Sequence, residues 1–360
     1  MLRLVLKTID KEINKTDGKN VLIVRLSALG DVIFNIPLAN ILKENGYRVT
    51  WLTSEKGYDM LSCNPAVDEV ILAPVEKWKK QNIFKNLKAY FEIISYIQSQ
   101  NYDITIDTQG LLKTCIWTAF SGSKRKIISK SAREGAVFAG NEIIDKLFTS
   151  WDSHVTQDYL KFAKHLGLST ENIKVTLPPA FPDTVEKVNS LLAGIDKTKP
   201  IITVCPATTW KAKHWNFDYW KELIERLGNK YTFVFTGTAK DNQMIEYISN
   251  GNNKYNLAGK TNLLELCEVF RRSDLVISLD SGSTHLAWAT QVPKIVSIFC
   301  CTPKSRYAPL GDENKYVALQ GNLPCQPCHK KHCKLKDQKN ICTKSPSVEE
   351  VYNAVKKLLD

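Results

Sequence analysis

One pattern constrains this chain more than any other. Short apolar runs alternate with longer amphipathic stretches along most of its length, and the alternation breaks once. In the first half, residues 21–26, 48–53, 69–72 and 103–107 read as strands. Residues 31–44, 84–98 and 110–120, with apolar positions three and four apart, read as helices. The rhythm weakens between residues 143 and 200, where Leu177-Pro178-Pro179-Ala180-Phe181-Pro182 forms a Pro-rich break. It then restarts, with strands over 201–205, 232–236, 275–279 and 294–299 and helices over 217–227, 241–248, 263–270 and 283–290. Ser347 is placed to cap a last helix over 348–359. Strands that alternate with helices form parallel sheets, because a parallel pair needs a crossover long enough to hold a helix. The chain's 360 residues exceed the roughly 250–300 at which a single core stops growing. The expectation is an α/β protein of two Rossmann-like domains, residues 1–180 and 181–345, with 346–360 a terminal helix free to pack back on the first. Open parallel sheets bind ligands at the carboxyl ends of their strands, so a cleft between the two domains is the expected site.

Composition narrows the partner. Hydrophobic residues make up 43% and charged residues 24%, which excludes a collagen, a disordered tail and a small disulfide scaffold. The formal net charge of +12 asks for an anionic partner: nucleic acid, a membrane surface or a phosphorylated substrate. Residues 111–140 and 321–344 each hold six basic residues and one acid, so these two segments carry +10 of the +12. Such runs are usually solvated faces. Lys77-Trp78-Lys79-Lys80 adds an aromatic to a basic stretch, which suits a membrane interface. No nucleic-acid recognition motif accompanies the charge. Residues 1–19 interleave Arg3, Lys7, Asp10 and Lys11 with apolar residues and lack a signal-peptide core. No stretch reaches 18 apolar residues, so a cytoplasmic location is expected, with peripheral membrane contact left open.

Three strand exits carry the chemistry. The first reads Arg25-Leu26-Ser27-Ala28-Leu29-Gly30-Asp31, which is neither a G-x-G-x-x-G nor a Walker loop. Asp31 there is either a plain helix cap or a general base at a strand exit. The second, Asp280-Ser281-Gly282-Ser283-Thr284-His285, offers small residues and free N–H groups at a helix start, where a diphosphate fits. The same residues would also serve as ordinary caps. The third runs from Cys205 to Trp215 and holds Thr208, Thr209 and Lys213. Lysine is a mobile point charge able to neutralise a diphosphate leaving group.

Together these segments resemble glycosyltransferase family 9, the bacterial lipopolysaccharide heptosyltransferases. Leu22 to Val32 resembles the family's N-terminal signature, and Asp280 to His285 its D-[ST]-G-x-x-H donor signature. Thr208, Thr209, Lys213, His214 and Trp215 match its T-T…K-H-W stretch. Ile106-Asp107-Thr108-Gln109-Gly110-Leu111-Leu112-Lys113 and Ser131-Ala132-Arg133-Glu134 are more similar to heptosyltransferase I than to heptosyltransferase II. The resemblance implies a metal-independent GT-B enzyme, monomeric, at the cytoplasmic face of the inner membrane. It would transfer heptose from ADP-L-glycero-β-D-manno-heptose to a Kdo residue of lipid A by inverting displacement. Asp31 would be the base, and Lys213 with the 281–284 helix start would stabilise departing ADP. Thr208, Thr209, Asp280, Ser281, Gly282, Ser283, Thr284 and His285 would contact the donor, and Asp241 its ribose. Lys113 and Arg133 would meet acceptor anions. A related transferase with another donor or acceptor is the alternative, and a non-catalytic nucleic-acid-binding protein a remote one. The segment Cys300-Cys301-Thr302-Pro303-Lys304 departs from the family's G-P-T-type turn, so no donor contact is carried there.

Of ten cysteines, Cys63, Cys115, Cys205 and Cys267 are solitary, and Cys300 and Cys301 adjoin in an apolar run; these read as small buried hydrophobes. Cys325, Cys328, Cys333 and Cys342 instead form a C-x2-C-x4-C-x8-C cluster, similar to the cysteine-bearing tail of some heptosyltransferase II relatives. The spacing suits either a structural metal, with His329 and His332 as substitute ligands, or disulfides or free thiols that pin a surface loop.

Overall fold

The structure, a computed structural model, describes residues 19–79, 83–249, 251, 254–291, 294–337 and 339–360. The chain divides into two compact units, the first ending at Pro179 and the second beginning at Ala180. Each holds a six-stranded sheet. In the first, β1 (Asn20–Val24), β2 (Arg48–Thr53), β3 (Glu69–Leu72), β4 (Ile104–Asp107), β5 (Arg125–Ser129) and β6 (Glu142–Ile144) lie in the order β3-β2-β1-β4-β5-β6. In the second, β7 (Ile201–Cys205), β8 (Thr232–Phe235), β9 (Lys254–Asn256), β10 (Leu275–Leu279), β11 (Ile295–Phe299) and β12 (Tyr316–Gln320) lie in the order β12-β11-β10-β7-β8-β9. Every pairing is parallel. Both sheets therefore wind outward in two directions, and each has one switch point: between β1 and β4, and between β7 and β10.

The strand sequences explain their position. β1 places Val21, Leu22, Ile23 and Val24 wholly out of solvent. β10 and β11 are buried at every residue. Continuous apolar strands of this kind belong in the middle of a sheet covered on both faces. The helix Leu29–Glu44 is buried from Val32 to Leu42 and packs on the helix Val155–His165. In the second unit Trp215, Trp220, Phe233, Phe235 and Ile298 form the core.

Several elements escape the sequence reading, the short helices Glu55–Leu61, Val75–Trp78 and Lys304–Tyr307 among them. β5 begins with Arg125 and Lys126, and their charges hide its three buried residues. β6 and β9 are three residues each, and β12 is half-buried throughout. The helix Val155–His165 lies inside the stretch where the rhythm weakens, and its polar residues mask an apolar face of Val155, Tyr159, Leu160, Phe162 and Ala163. Pro182 does not extend the break; it opens the helix Pro182–Leu191, where a missing N–H is tolerated. The helix Val348–Leu359 sets Val351, Val355 and Leu358 into the second unit's own core, against the helix Phe217–Leu227.

The first basic segment is paired with acids just beyond it. Arg125 Nε and Nη2 donate to Glu142 at 2.6 and 2.8 Å, and Lys130 Nζ pairs with Asp145 at 3.0 Å. The reading of Trp78 as an interfacial aromatic is overturned. Its ring is buried and stacks with Tyr90 and Trp117, at centroid distances of 4.4 and 6.4 Å, while Lys79 pairs with Glu76 at 3.0 Å. Lys80 and residues 1–18 lie outside the described residues. Among the described residues no helix is long and apolar enough to cross a membrane.

Ser347 Oγ accepts the Glu350 N–H at 3.3 Å, and Glu350 Oε2 accepts the Ser347 N–H at 2.7 Å, so the last helix starts in a reciprocal cap. Ser347→Ala is expected to cost the second unit about 1 kcal/mol, measured by urea unfolding.

Candidate active site

Most of the polar residues singled out in the sequence gather at the two switch points, one set in each unit. In the first unit Asp31 occupies the third position of the helix Leu29–Glu44, with Ala28 as the cap. It is thus not the cap residue, but its Oδ2 reaches back to accept the Ala28 N–H at 3.3 Å. Arg25, at the exit of β1, donates from Nη2 to the same oxygen at 2.7 Å and from Nη1 to Thr108 O at 2.6 Å. Tyr159, from the helix Val155–His165, donates its hydroxyl to Asp31 Oδ1 at 3.1 Å, and its ring lies 5.2 Å from the Arg25 guanidinium. Burial opposes the Arg25 charge, but Asp31 and Tyr159 outweigh it and leave the guanidinium pKa above its ordinary value. Asp31 is therefore clamped on both oxygens, yet its side chain keeps 35% of its exposure. A carboxylate held in one orientation and open to solvent is the geometry a general base needs.

The turn after β4 completes this side. Asp107 is buried, and burial raises its pKa; the N–H groups of Gln109 and Gly110 donate to it at 2.9 and 2.8 Å and oppose that rise. Gln109 Oε1 in turn accepts the Leu26 N–H at 2.9 Å, which ties the turn to the β1 exit. Lys113 Nζ donates to Ser27 Oγ at 3.1 Å. Burial, then repulsion from Lys79 and Arg25, holds its pKa below the usual lysine value. The backbone of Arg133 donates to Gly110 O at 2.9 Å, and its side chain is exposed. Lys113 and Arg133 thus come to the same end of the sheet as Asp31.

In the second unit Asp280 directly follows β10 and is buried. Lys213 Nζ lies 2.7 Å from its Oδ2 and 4.8 Å from the Trp210 ring centroid. Thr302 donates its hydroxyl to that same Oδ2, and His285 Nε2 stands 3.7 Å from Oδ1. Thr208 Oγ1 donates to Asp280 O at 3.3 Å, and His214 Nε2 to Thr208 O at 2.9 Å. The loop after β7 is thereby fastened to the loop after β10. The helix Gly282–Ala289 starts here with Ser281 as its extended cap residue, and the Ser281 hydroxyl is buried without a hydrogen-bond partner among the described residues. Gly282 and Ser283 are half-buried and Thr209 exposed. Thr284 is turned inward, donating to Ser278 Oγ at 2.8 Å. Asp241 stands apart at the exit of β8, where its Oδ2 accepts both the N–H and the hydroxyl of Thr238 at 2.7 Å.

Three contributors escape sequence reasoning. Arg25 reads as the tail of an apolar strand, Tyr159 lies 128 residues from its partner, and Thr302 sits in the segment set aside as a departure. Only Arg25 had a signal, a charge at the end of a buried strand.

Two doubly wound units, each with its polar residues gathered at the switch point, define the GT-B architecture of glycosyltransferases. The sequence matches the family model of Glycosyltransferase family 9 (heptosyltransferase) over residues 91–339, and the chain belongs to that family. It is 27% identical over 321 residues to a lipopolysaccharide heptosyltransferase 1 of Pseudomonas aeruginosa, covering 87% of each chain. Among solved structures it is similar to a family 9 glycosyltransferase of Veillonella parvula, at a TM-score of 0.78 and 20% identity over 95% of this chain and 97% of that one. It is also similar to the E. coli heptosyltransferase WaaC solved with ADP, at a TM-score of 0.71 and 22% identity over 94% and 99%. The protein is a glycosyltransferase of the heptosyltransferase family.

Gly110 takes φ +59°, and a Cβ there would meet Ala132 at 3.0 Å. Gly110→Ala is expected to cost more than about 1 kcal/mol and to pull the Lys113 turn out of place. Denaturant unfolding and a crystal structure of the variant check both.

Proposed function

We propose that this protein transfers L-glycero-D-manno-heptose from ADP-heptose to a Kdo residue of lipid A, by inverting displacement, as a monomer at the cytoplasmic face of the inner membrane. The observation that carries the reading is the clamped, solvent-open carboxylate of Asp31. In this reading Asp31 takes the proton of the acceptor hydroxyl as its oxygen attacks the anomeric carbon, and the bond from that carbon to the ADP oxygen breaks. Arg25 and Tyr159 act through Asp31: they fix its orientation, which is a positioning role. The departing diphosphate gathers negative charge, and Lys213 with the N–H groups opening the helix Gly282–Ala289 would stabilise it. Both Asp280 oxygens already face protein partners, so its part is to aim Lys213 and the loop that holds Thr208 and Thr209. His285, with Nε2 3.7 Å from Asp280 Oδ1, stands beside that carboxylate. Asp241, engaged with Thr238, would reach a ribose only by exchanging that partner.

The choice of ADP-heptose and Kdo-lipid A rests on the similarity to enzymes named lipopolysaccharide heptosyltransferase 1 and to a structure solved with ADP. An acidic lipid acceptor also suits the surface beside Asp31. Phe138 is 90% exposed and Leu112 61%, on packed neighbouring elements that also bear Lys113 and adjoin Arg133. Apolar side chains among cations suit a phosphorylated lipid surface.

The direct test combines pure protein, Kdo-lipid A and a panel of nucleotide sugars. ADP-heptose is expected to give the highest kcat/KM, with release of ADP. A preference for another donor, or for an acceptor that already bears heptose, moves the assignment to a neighbouring transferase. Asp31→Asn is expected to lower turnover at least ~10²-fold with the fold retained by circular dichroism; near-normal turnover rejects Asp31 as the base.

Phe138→Ser should lower kcat/KM for vesicle-borne acceptor about tenfold, and leave a short, soluble Kdo acceptor unaffected. Equal loss on both acceptors would reject a lipid contact at Phe138.

A further inference from the structure

The segment between β12 and the last helix has no part in the proposed transfer, yet one of its residues reaches the loop of Lys213. His329 takes φ +49°. That left-handed conformation is uncommon for a residue with a Cβ, and it persists where surrounding contacts hold it. Here the contacts are specific. The His329 N–H donates to Cys301 O at 2.7 Å. Its ring stacks on Tyr307, at a centroid distance of 5.7 Å and an interplanar angle of 19°, and the Tyr307 hydroxyl lies 3.3 Å from its Nε2.

The same ring meets Trp210, 5.8 Å away and tilted by 52°. Lys213 Nζ in turn lies 4.8 Å from the Trp210 centroid and 2.7 Å from Asp280 Oδ2. At the far end, the buried Arg306 guanidinium stands 5.8 Å from the Tyr307 centroid. Three rings thus run in a chain from Arg306 to Lys213, with a cation at each end. Aromatic pairs at these spacings contribute beyond the area they bury, and a ring face attracts a cation.

His329 also grips the second loop that fixes the Lys213–Asp280 pair. Cys301, which accepts its N–H, precedes Thr302, and the Thr302 hydroxyl donates to Asp280 Oδ2. Gln326 Nε2 donates to Cys300 O and seats the same segment on the same loop. Lysine's four-carbon stem lets an ammonium swing about a carboxylate partner. The Trp210 ring closes part of that arc, and His329 stands against the ring.

We propose that His329 is a positioning residue for Lys213: it holds Trp210 against the lysine and so keeps Nζ aimed where the leaving group gathers charge. This rests on Lys213 meeting the departing diphosphate, and it holds for whichever sugar is transferred. The histidine acts through Trp210 and needs no contact with substrate.

The test is a set of kinetic cycles on the full-length protein, with the donor that gives the highest kcat/KM in the nucleotide-sugar panel. His329→Asn removes the ring and keeps a residue that tolerates the left-handed backbone. It is expected to lower kcat about tenfold and to move the donor KM less than about twofold, because aim at a leaving group counts most in the transition state. Trp210→Leu is expected to do the same, and Trp210→Phe, which keeps a ring face for Lys213, to stay within about threefold of wild type. The His329→Asn/Trp210→Leu variant is expected to lose about tenfold, where independent sites would lose about a hundredfold; multiplied losses overturn the proposal. Lys213→Gln alone is expected to lose ~10²-fold, and His329→Asn to cost nothing further in that background. An additional tenfold loss there overturns the proposal, and so does wild-type kcat in His329→Asn; both leave the reading of Lys213 standing. Near-normal turnover of Lys213→Gln removes that reading, and the positioning role with it. His332→Asn, the same substitution at an exposed histidine of the segment, is expected to match wild type, and an equal loss there overturns the proposal. Should His329→Asn fail to fold, Tyr307→Leu, which strips the stack from its far side, takes its place in both cycles with the same expected and overturning results.

Discussion

The constraint on which everything else rests is the two-way winding of a parallel sheet. When a chain lays strands outward on one side of a central strand and then returns to the other side, the connections leaving the two central strands diverge. The carboxyl ends of β1 and β4, and of β7 and β10, are therefore the places in each sheet where a ligand can approach backbone without displacing a crossover. The apolar strands cause the topology, and the topology then decides where polar side chains can be useful. Arg25, Asp31, Lys113, Lys213 and Asp280 all lie within a few residues of those four strand ends, while the strands beneath them are buried without interruption.

At each switch point a buried charge is used to aim an accessible one. Arg25 is the buried partner in the first unit and Asp31 the accessible one; in the second, Asp280 is buried and Lys213 is the less buried partner. Burying a charge is costly unless it is paired and hydrogen-bonded. Arg25 meets that condition through Asp31, Thr108 and the Tyr159 ring, and Asp280 through Lys213 and Thr302. The same pairs that keep the buried members tolerable leave the outer members with little rotational freedom. Orientation at both places follows from electrostatic necessity beneath the surface.

Much of this was legible in the sequence, for a physical reason. Short buried strands followed by glycine, serine or aspartate announce themselves, because a buried parallel strand admits almost no polar residue and a helix start favours a few residue types. That is why the exits at Asp31, Thr208 and Asp280 stood out, and why the strand Leu275–Leu279 and the helix Phe217–Leu227 could be bounded closely. What was not legible depends on tertiary contact. Tyr159 reaches Asp31 from a helix whose charged residues obscure its period. β5 hides behind Arg125 and Lys126, which pair sideways with Glu142 and along the backbone. Trp78 sits among lysines in sequence but under Tyr90 and Trp117 in space, so its neighbours in the chain say nothing of its surroundings. Thr302 lay in a segment that departs from its relatives' pattern, and only the fold returns it to Asp280.

The lacing of the loop after β7 to residues near the carboxyl end has a consequence for how the molecule comes into being. Trp215 and Asn216 leave the ribosome more than a hundred residues before Thr343 and Pro346, the groups that accept their N–H bonds. Through most of synthesis the second sheet can form strand by strand while the lysine-bearing loop above it still lacks its floor. That half of the protein is thus finished from its far end, and a chain stopped at residue 340 would lose the support of the loop that carries Lys213 along with the helix Val348–Leu359.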